Sequence, residues 1–106
     1  MRKDIFGEIS LSKKELEKIG SEYPIKLEYY RVENEIKDEY KMNYGIEVVK
    51  KINLEGELDI EAKRIKNVCN CEYLTNNILE KLRNCKVMPC NLEDVTEDLM
   101  KEYGIA

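Results

Sequence analysis

All four cysteines of the chain lie in one stretch, CNCEYLTNNILEKLRNCKVMPC, residues 69 to 90. Cys69 and Cys71 open it, and Cys85 and Cys90 close it. Two pairs of thiols could hold a structural zinc, which takes four ligands in a tetrahedron, usually as pairs two to four residues apart. The spacing argues against that chemistry. Cys69-x-Cys71 is one residue short, and the Cys85 to Cys90 interval stands at the outer limit. The residues between the pairs carry a helical pattern, and about 13 residues rising ~1.5 Å each hold Cys71 and Cys85 roughly 20 Å apart. Ligands of one zinc each lie about 2.3 Å from the metal. The chain has no His to complete a mixed site. Free cysteine packs as a small apolar residue, and Cys85 falls on the apolar stripe of the intervening helix. The expectation is therefore buried thiols, with Cys85 turned inward and no shared metal.

A reactive cysteine needs a neighbouring base or cation to form its thiolate. With no His in the chain, only a Lys or a helix N-terminus could serve; Cys71 lies at a helix start, and that alone is weak. A metal- or redox-sensing protein using Cys69, Cys71, Cys85 and Cys90 stays as the alternative reading. The acids Glu93, Asp94, Glu97 and Asp98 read as the favourable first turn and solvated face of a helix. Lys50, Lys51, Lys63, Arg64 and Lys66 gather across a hairpin, but only Tyr44 stands near them as a base-stacking aromatic. None of the five glycines forms a phosphate loop. No catalytic, cofactor-binding or metal-binding residue is assigned, no cofactor is expected, and an enzyme is not expected.

The elements that would position these groups follow from periodicity. LSKKELEKIG is a short helix with a capping box, Ser12 to Glu15, and Gly20 as a left-handed stop. Leu11, Leu16 and Ile19 should face inward. SEYP, ending at Pro24, is a linker. IKLEYYRVENEI (25 to 36) alternates as a strand, with Ile25, Leu27 and Tyr29 on one face. The apolar phase then slips to Tyr30, Val32 and Ile36, which predicts a bulge near Tyr29 and Tyr30. KDEYKMN reads as loop. YGIEVVKKIN (44 to 53) places Tyr44, Ile46, Val48 and Ile52 on one face.

Residues 57 to 68 fit either helix or strand, and cross-strand pairing decides for strand. A three-residue LEG loop would set Ile52 against Leu58 and Val48 against Ala62. On the other face it would set Lys51 against Asp59 and Glu47 against Lys63. From Glu72 the period becomes helical through Leu74, Ile78, Leu82 and Cys85. A last helix starts with Asn91 as cap, carries Leu92, Val95, Leu99 and Tyr103 inward, and closes at Gly104.

The expected fold class is α+β: a three-stranded antiparallel meander with one face covered by two C-terminal helices, plus a short N-terminal helix. Residues 1–24 form that helix and a linker, and 25–106 a single domain. At 106 residues, with 38% charged side chains and one Phe and no Trp, the core must come from Leu, Ile, Val and Tyr. The net charge is −4, with eleven cations against eleven acids over residues 1 to 53 and seven against eleven thereafter. Nucleic-acid binding needs phosphate neutralisation, so none is expected. The opening MRKDIFGEIS lacks the apolar segment of a secretory signal, and apolar residues never run long enough for a membrane span. The expected place is the cytoplasm, where thiols stay reduced.

Tyr29-Tyr30 with Val32, then YGIEVVKK, then NLEDVTEDL beyond Pro89, together resemble a small uncharacterised family of clostridial and related Gram-positive bacteria. The resemblance spans about residues 25 to 100 and leaves the N-terminal helix and the four cysteines outside its pattern. It implies no activity, substrate or catalytic residue. A protein-interaction or regulatory module, with a protein partner or self-association, is the expectation that remains.

Overall fold

The computed structural model of the chain describes residues 2–36 and 41–105. In chain order the elements are β1 (Arg2–Ser10), α1 (Lys13–Lys18), β2 (Ile25–Ile36), β3 (Lys41–Leu54), β4 (Glu57–Cys69), α2 (Glu72–Asn84), a 3-10 turn (Pro89–Asn91) and α3 (Leu92–Glu102). The strands form one antiparallel sheet in the order β1-β2-β3-β4. The class is α+β, but the sheet has four strands where three were expected.

The additional strand is β1, so residues 1–24 contribute a sheet edge as well as the helix and linker. Its sequence hid it because the alternation is broken in the middle. Ile5 pairs with Tyr30 and Gly7 with Tyr29, which leaves Phe6 as an extra residue. Phe6 and Ile9 pack on the core while Ile5 stays exposed. The bulge expected in β2 at Tyr29 and Tyr30 therefore belongs to the strand opposite them, and the β2–β3 register runs without a break. The phase slip in β2 has another cause: Val32 is fully buried on the second face of the sheet. Residues 37–40 of the expected KDEYKMN loop, and the side chain of Ile36, lie outside the described residues, and β3 begins at Lys41.

One core lies between the sheet and the helices. Ile25, Leu27 and Tyr29 from β2 and Ile46 and Val48 from β3 meet Ile78, Leu79, Leu82 and Leu92 from α2 and α3. Full burial of such a side chain is worth about 1.5–3 kcal/mol. Tyr29 also donates from its hydroxyl to the Val87 carbonyl at 2.9 Å, tying the turn after α2 to the sheet. The burial that gives this contact pushes the Tyr29 hydroxyl up from its ordinary range, and the nearby Cys85 adds to the shift.

The helix ends follow the chemistry expected of them, with one surprise. The Ser12–Glu15 capping box forms, and Gly20 and Gly104 adopt left-handed φ of 71°. After α2 the same reversal is made by Lys86, at φ 53°, whose N–H bonds the Arg83 carbonyl while that of Val87 bonds Leu82. This is a Schellman cap without glycine. Lys86 also pairs with Glu15, and the Lys86 and Ser12 hydrogen bonds hold the Glu15 carboxyl down at about 2. Asn91 sits at the cap position of α3 but makes no side-chain capping bond, because the 3-10 turn starting at Pro89 leads directly into the helix. Ile19, expected inside, is exposed.

Candidate functional site

Strand parity gives the sheet two unlike faces. The helices send their apolar residues into the single core on one face. Among the described residues no helix covers the other face, which presents Lys3, Lys26, Glu28, Tyr30, Glu47, Lys51 and Arg64. Glu28 and Glu47 are each only 6% exposed there. Glu47 accepts from Lys3 Nζ at 2.8 Å and from Arg64 Nε at 2.7 Å. Glu28 accepts from the Tyr30 hydroxyl at 2.9 Å and pairs with Lys51 Nζ at 3.1 Å. Lys3 stands 4.5 Å above the Tyr30 ring. Burial alone would raise both carboxyls, but the hydrogen bonds from their partners outweigh it and hold both below the usual carboxylate range. The same surroundings, burial first and Glu28 second, push the Tyr30 hydroxyl up to about 12. These four strands are laced together by charge on this face and by apolar packing on the other.

The β4 edge borders this face. Its hairpin with β3 turns on two residues, Glu55 and Gly56, both at positive φ (24° and 91°), so Leu54 faces Glu57. A primed two-residue turn, whose backbone matches the right-handed twist of the flanking strands, stands in place of the three-residue loop expected from sequence. The consequence is a one-residue slip of the whole pairing. Lys51 faces Ile60 rather than Asp59, Glu47 faces Arg64 rather than Lys63, Ile52 faces Asp59 and Val48 faces Lys63. A one-residue slip turns every side chain of the slipped strand over, so Leu58 and Ile60, expected on the core face, instead stand 57% and 55% exposed. Among the described residues β4 has a strand neighbour on one side only.

Gly45 marks where this edge ends. The β3–β4 register shifts between Tyr44 and Ile46. A Cβ on Gly45 would lie 2.3 Å from the carbonyl oxygens of both Ile65 and Lys66, so the β4 backbone runs directly over it. Asn34 Nδ2 donates to the Lys66 carbonyl at 2.8 Å and secures the crossing. A glycine inside a strand pattern signals a bulge or a close backbone approach. YGIEVVKK carries that signal.

The cysteines do not converge. α2 runs unbroken between them, with Cys71 at its N-cap and Cys85 at its C-cap. Cys85 and Cys90 are exposed, which corrects the inward placement of Cys85; Thr75, Ile78, Leu79 and Leu82 make the buried stripe instead. Cys69 sits half-buried, its Sγ 3.2 Å from Thr75 Oγ1. Among the described residues no three of Cys, Asp and Glu come together as a metal cluster. Of the acids on α3, Glu93 pairs with Lys63 and Glu97 with Lys101. The basic cluster divides between the faces: Lys51 goes to Glu28, Arg64 to Glu47 and Lys63 to Glu93. Lys3, which helps complete the network, escaped sequence reasoning because β1 did; Glu28 and Tyr30 lie on a strand that was expected, but their burial depends on contacts across the sheet.

Fold and surface together define a small α+β protein with one helical layer on a four-stranded antiparallel sheet and a charge-laced second face. The chain belongs to a family of unknown function, DUF6514, whose model matches residues 7–102. The match takes in α1 and part of β1, so the family pattern reaches further toward the N-terminus than the resemblance over 25 to 100. Neither the curated proteins nor the solved structures contain a match. No helix among the described residues is long and apolar enough to cross a membrane.

Proposed function

We propose that the protein is a small non-enzymatic interaction module, acting in the cytoplasm of the clostridial and related bacteria that its sequence resembles, and that β4 is its docking element. The observation that carries this reading is the edge itself. Residues 57 to 64 are exposed without interruption, and Leu58 and Ile60 stand on it in solvent beside the charged face. A strand edge offers unpaired N–H and C=O groups to an incoming strand, with side-chain pockets or charges supplying selectivity. Lys3, Glu28, Tyr30, Glu47, Lys51 and Arg64 on the open face are engaged with one another, which suits a structural surface rather than a catalytic one. Four free thiols suit a reducing compartment.

Cross-linking in the native host, with Lys63 and Lys66 as the reactive amines, tests the reading. The expected result is cross-links from these lysines to a protein chain, lost in the double substitution Leu58→Lys and Ile60→Lys, with the fold of the variant unchanged by circular dichroism. Cross-links that persist in that variant, or none from β4 to any chain, would overturn it.

A further inference from the structure

The sequence of β4 is polarised. Its first half carries Glu57, Asp59 and Glu61, and its second half Lys63, Arg64 and Lys66. A strand with acids at one end and cations at the other is complementary to itself when two copies run antiparallel. We propose that the partner of the β4 edge is a second copy of this chain, paired strand to strand about a two-fold axis at Ala62. This rests on the interaction reading above and names its partner.

The hairpin geometry sets which main-chain groups of β4 point away from β3. In a two-residue hairpin the residues flanking the turn, Leu54 and Glu57, form a hydrogen-bonded pair, and bonding alternates from there. Asn53 agrees with this phase, since its N–H turns away from β4 and donates to the Pro24 carbonyl at 3.2 Å. The main-chain groups of Leu58, Ile60, Ala62 and Arg64 therefore point outward. Two such strands related by a two-fold can pair only even residue with even residue. Centring the axis on Glu61 opposes Glu61 to its own copy, and centring it on Lys63 opposes Lys63 to its own copy. Centring it on Ile60 sets Asp59 against Glu61. Centring it on Ala62 sets Glu61 against Lys63 twice, in the non-hydrogen-bonded positions where side chains lie closest. It also brings the two Ala62 side chains together across the seam of the open face and sets Ile60 of each copy against Arg64 of the other.

The other edge does not compete. β1 is interrupted by its bulge between Ile5 and Gly7, a feature that discourages edge pairing. β4 keeps an unbroken ladder with β3 from Glu57 to Ile65 and contains no proline. Lys63 already reaches Glu93 at 3.0 Å, with both side chains largely exposed, so Glu61 of a second copy would join an existing pair.

The register is testable by charge exchange on the full-length protein, using sedimentation equilibrium. The wild-type chain is expected to form a dimer that dissociates on dilution. Glu61→Lys alone places the new lysine against Lys63 twice, and Lys63→Glu alone places the new glutamate against Glu61 twice. Each should weaken self-association by on the order of tenfold or more. Mixing the two variants in equal amounts sets the introduced lysine against the introduced glutamate, and the native Lys63 against the native Glu61. The mixture should therefore restore the dimer. Ala62→Pro removes an outward N–H that the monomer does not use, and should give a folded monomer by circular dichroism. A monomeric wild type, single variants that dimerise unchanged, or a mixture that stays monomeric would each overturn the proposal. A monomeric wild type whose β4 lysines still cross-link to another protein in the host would sink the self-pairing and leave the docking edge standing; loss of both would sink both.

Discussion

Tyr29 and Cys85 lie close together in space and carry opposite consequences for substitution. Tyr29 is fully buried and its hydroxyl satisfies the Val87 carbonyl in the turn after α2. Tyr29→Phe keeps the ring but leaves that carbonyl unpaired, at a cost of about 1–3 kcal/mol. Urea denaturation should show a lower midpoint with an unchanged slope. Cys85 stands at the exposed end of the same helix, so Cys85→Ser should stay within about 0.5 kcal/mol of wild type in the same measurement. Spacing alone places Cys85 on the apolar stripe of α2. The stripe turns away before reaching it, because the chain reverses at Lys86 and the last apolar contact is made by Val87 instead.

At the scale of the element, β4 depends on a glycine that belongs to its neighbour. Any side chain at Gly45 meets the backbone of Ile65 and Lys66, and backbone cannot step aside as a flexible side chain can. Gly45→Ala should destabilise the protein by on the order of 1–3 kcal/mol. Hydrogen exchange should show the loss of protection concentrated in residues 65 to 69 rather than spread over the sheet. Protection lost uniformly would argue that the crossing is not a local constraint. The helices are easier to read than this crossing. Ser12, Gly20 and Gly104 act through contacts within a few residues, and such contacts are written in the local sequence. Pairing register is set by a turn whose type depends on two φ angles, and Glu55–Gly56 lacks the Asn-Gly or Asp-Gly pair that marks a two-residue turn.

Across the whole molecule the sheet is held on one face by carboxylates kept ionised. Glu28 and Glu47 have lowered pKa values in the folded state, because their hydrogen-bonded cations outweigh the burial that opposes ionisation. Both contribute stability that is fully present above the unfolded value of about 4.3 and is lost as pH falls through their folded values. The midpoint of urea unfolding should therefore decline below about pH 4.3. In Glu47→Gln, which cannot titrate at that position, the decline should be shallower. An equal decline in wild type and variant would mean that Glu47 is not a contributor. The same ion pairs join β1 to β3, β2 to β3 and β3 to β4, so acid should loosen the sheet as a unit.

Taken alone, the sequence determined the α+β class, three of the strands, the three helices, and the separation of the cysteine pairs by a rigid helix. Each of these rests on period, on capping chemistry or on rise per residue, which are properties of neighbouring residues. Tertiary structure decided the rest. It recruited Arg2–Ser10 as a fourth strand whose bulge at Phe6 erases the alternation that would have announced it. It chose the hairpin register, and with it which face of β4 meets solvent. It also buried Glu28 and Glu47 on a face without helices, by closing Lys3, Tyr30, Lys51 and Arg64 over them, one from each strand. Contacts between residues distant in sequence leave no periodic trace, and the site lies where such contacts dominate.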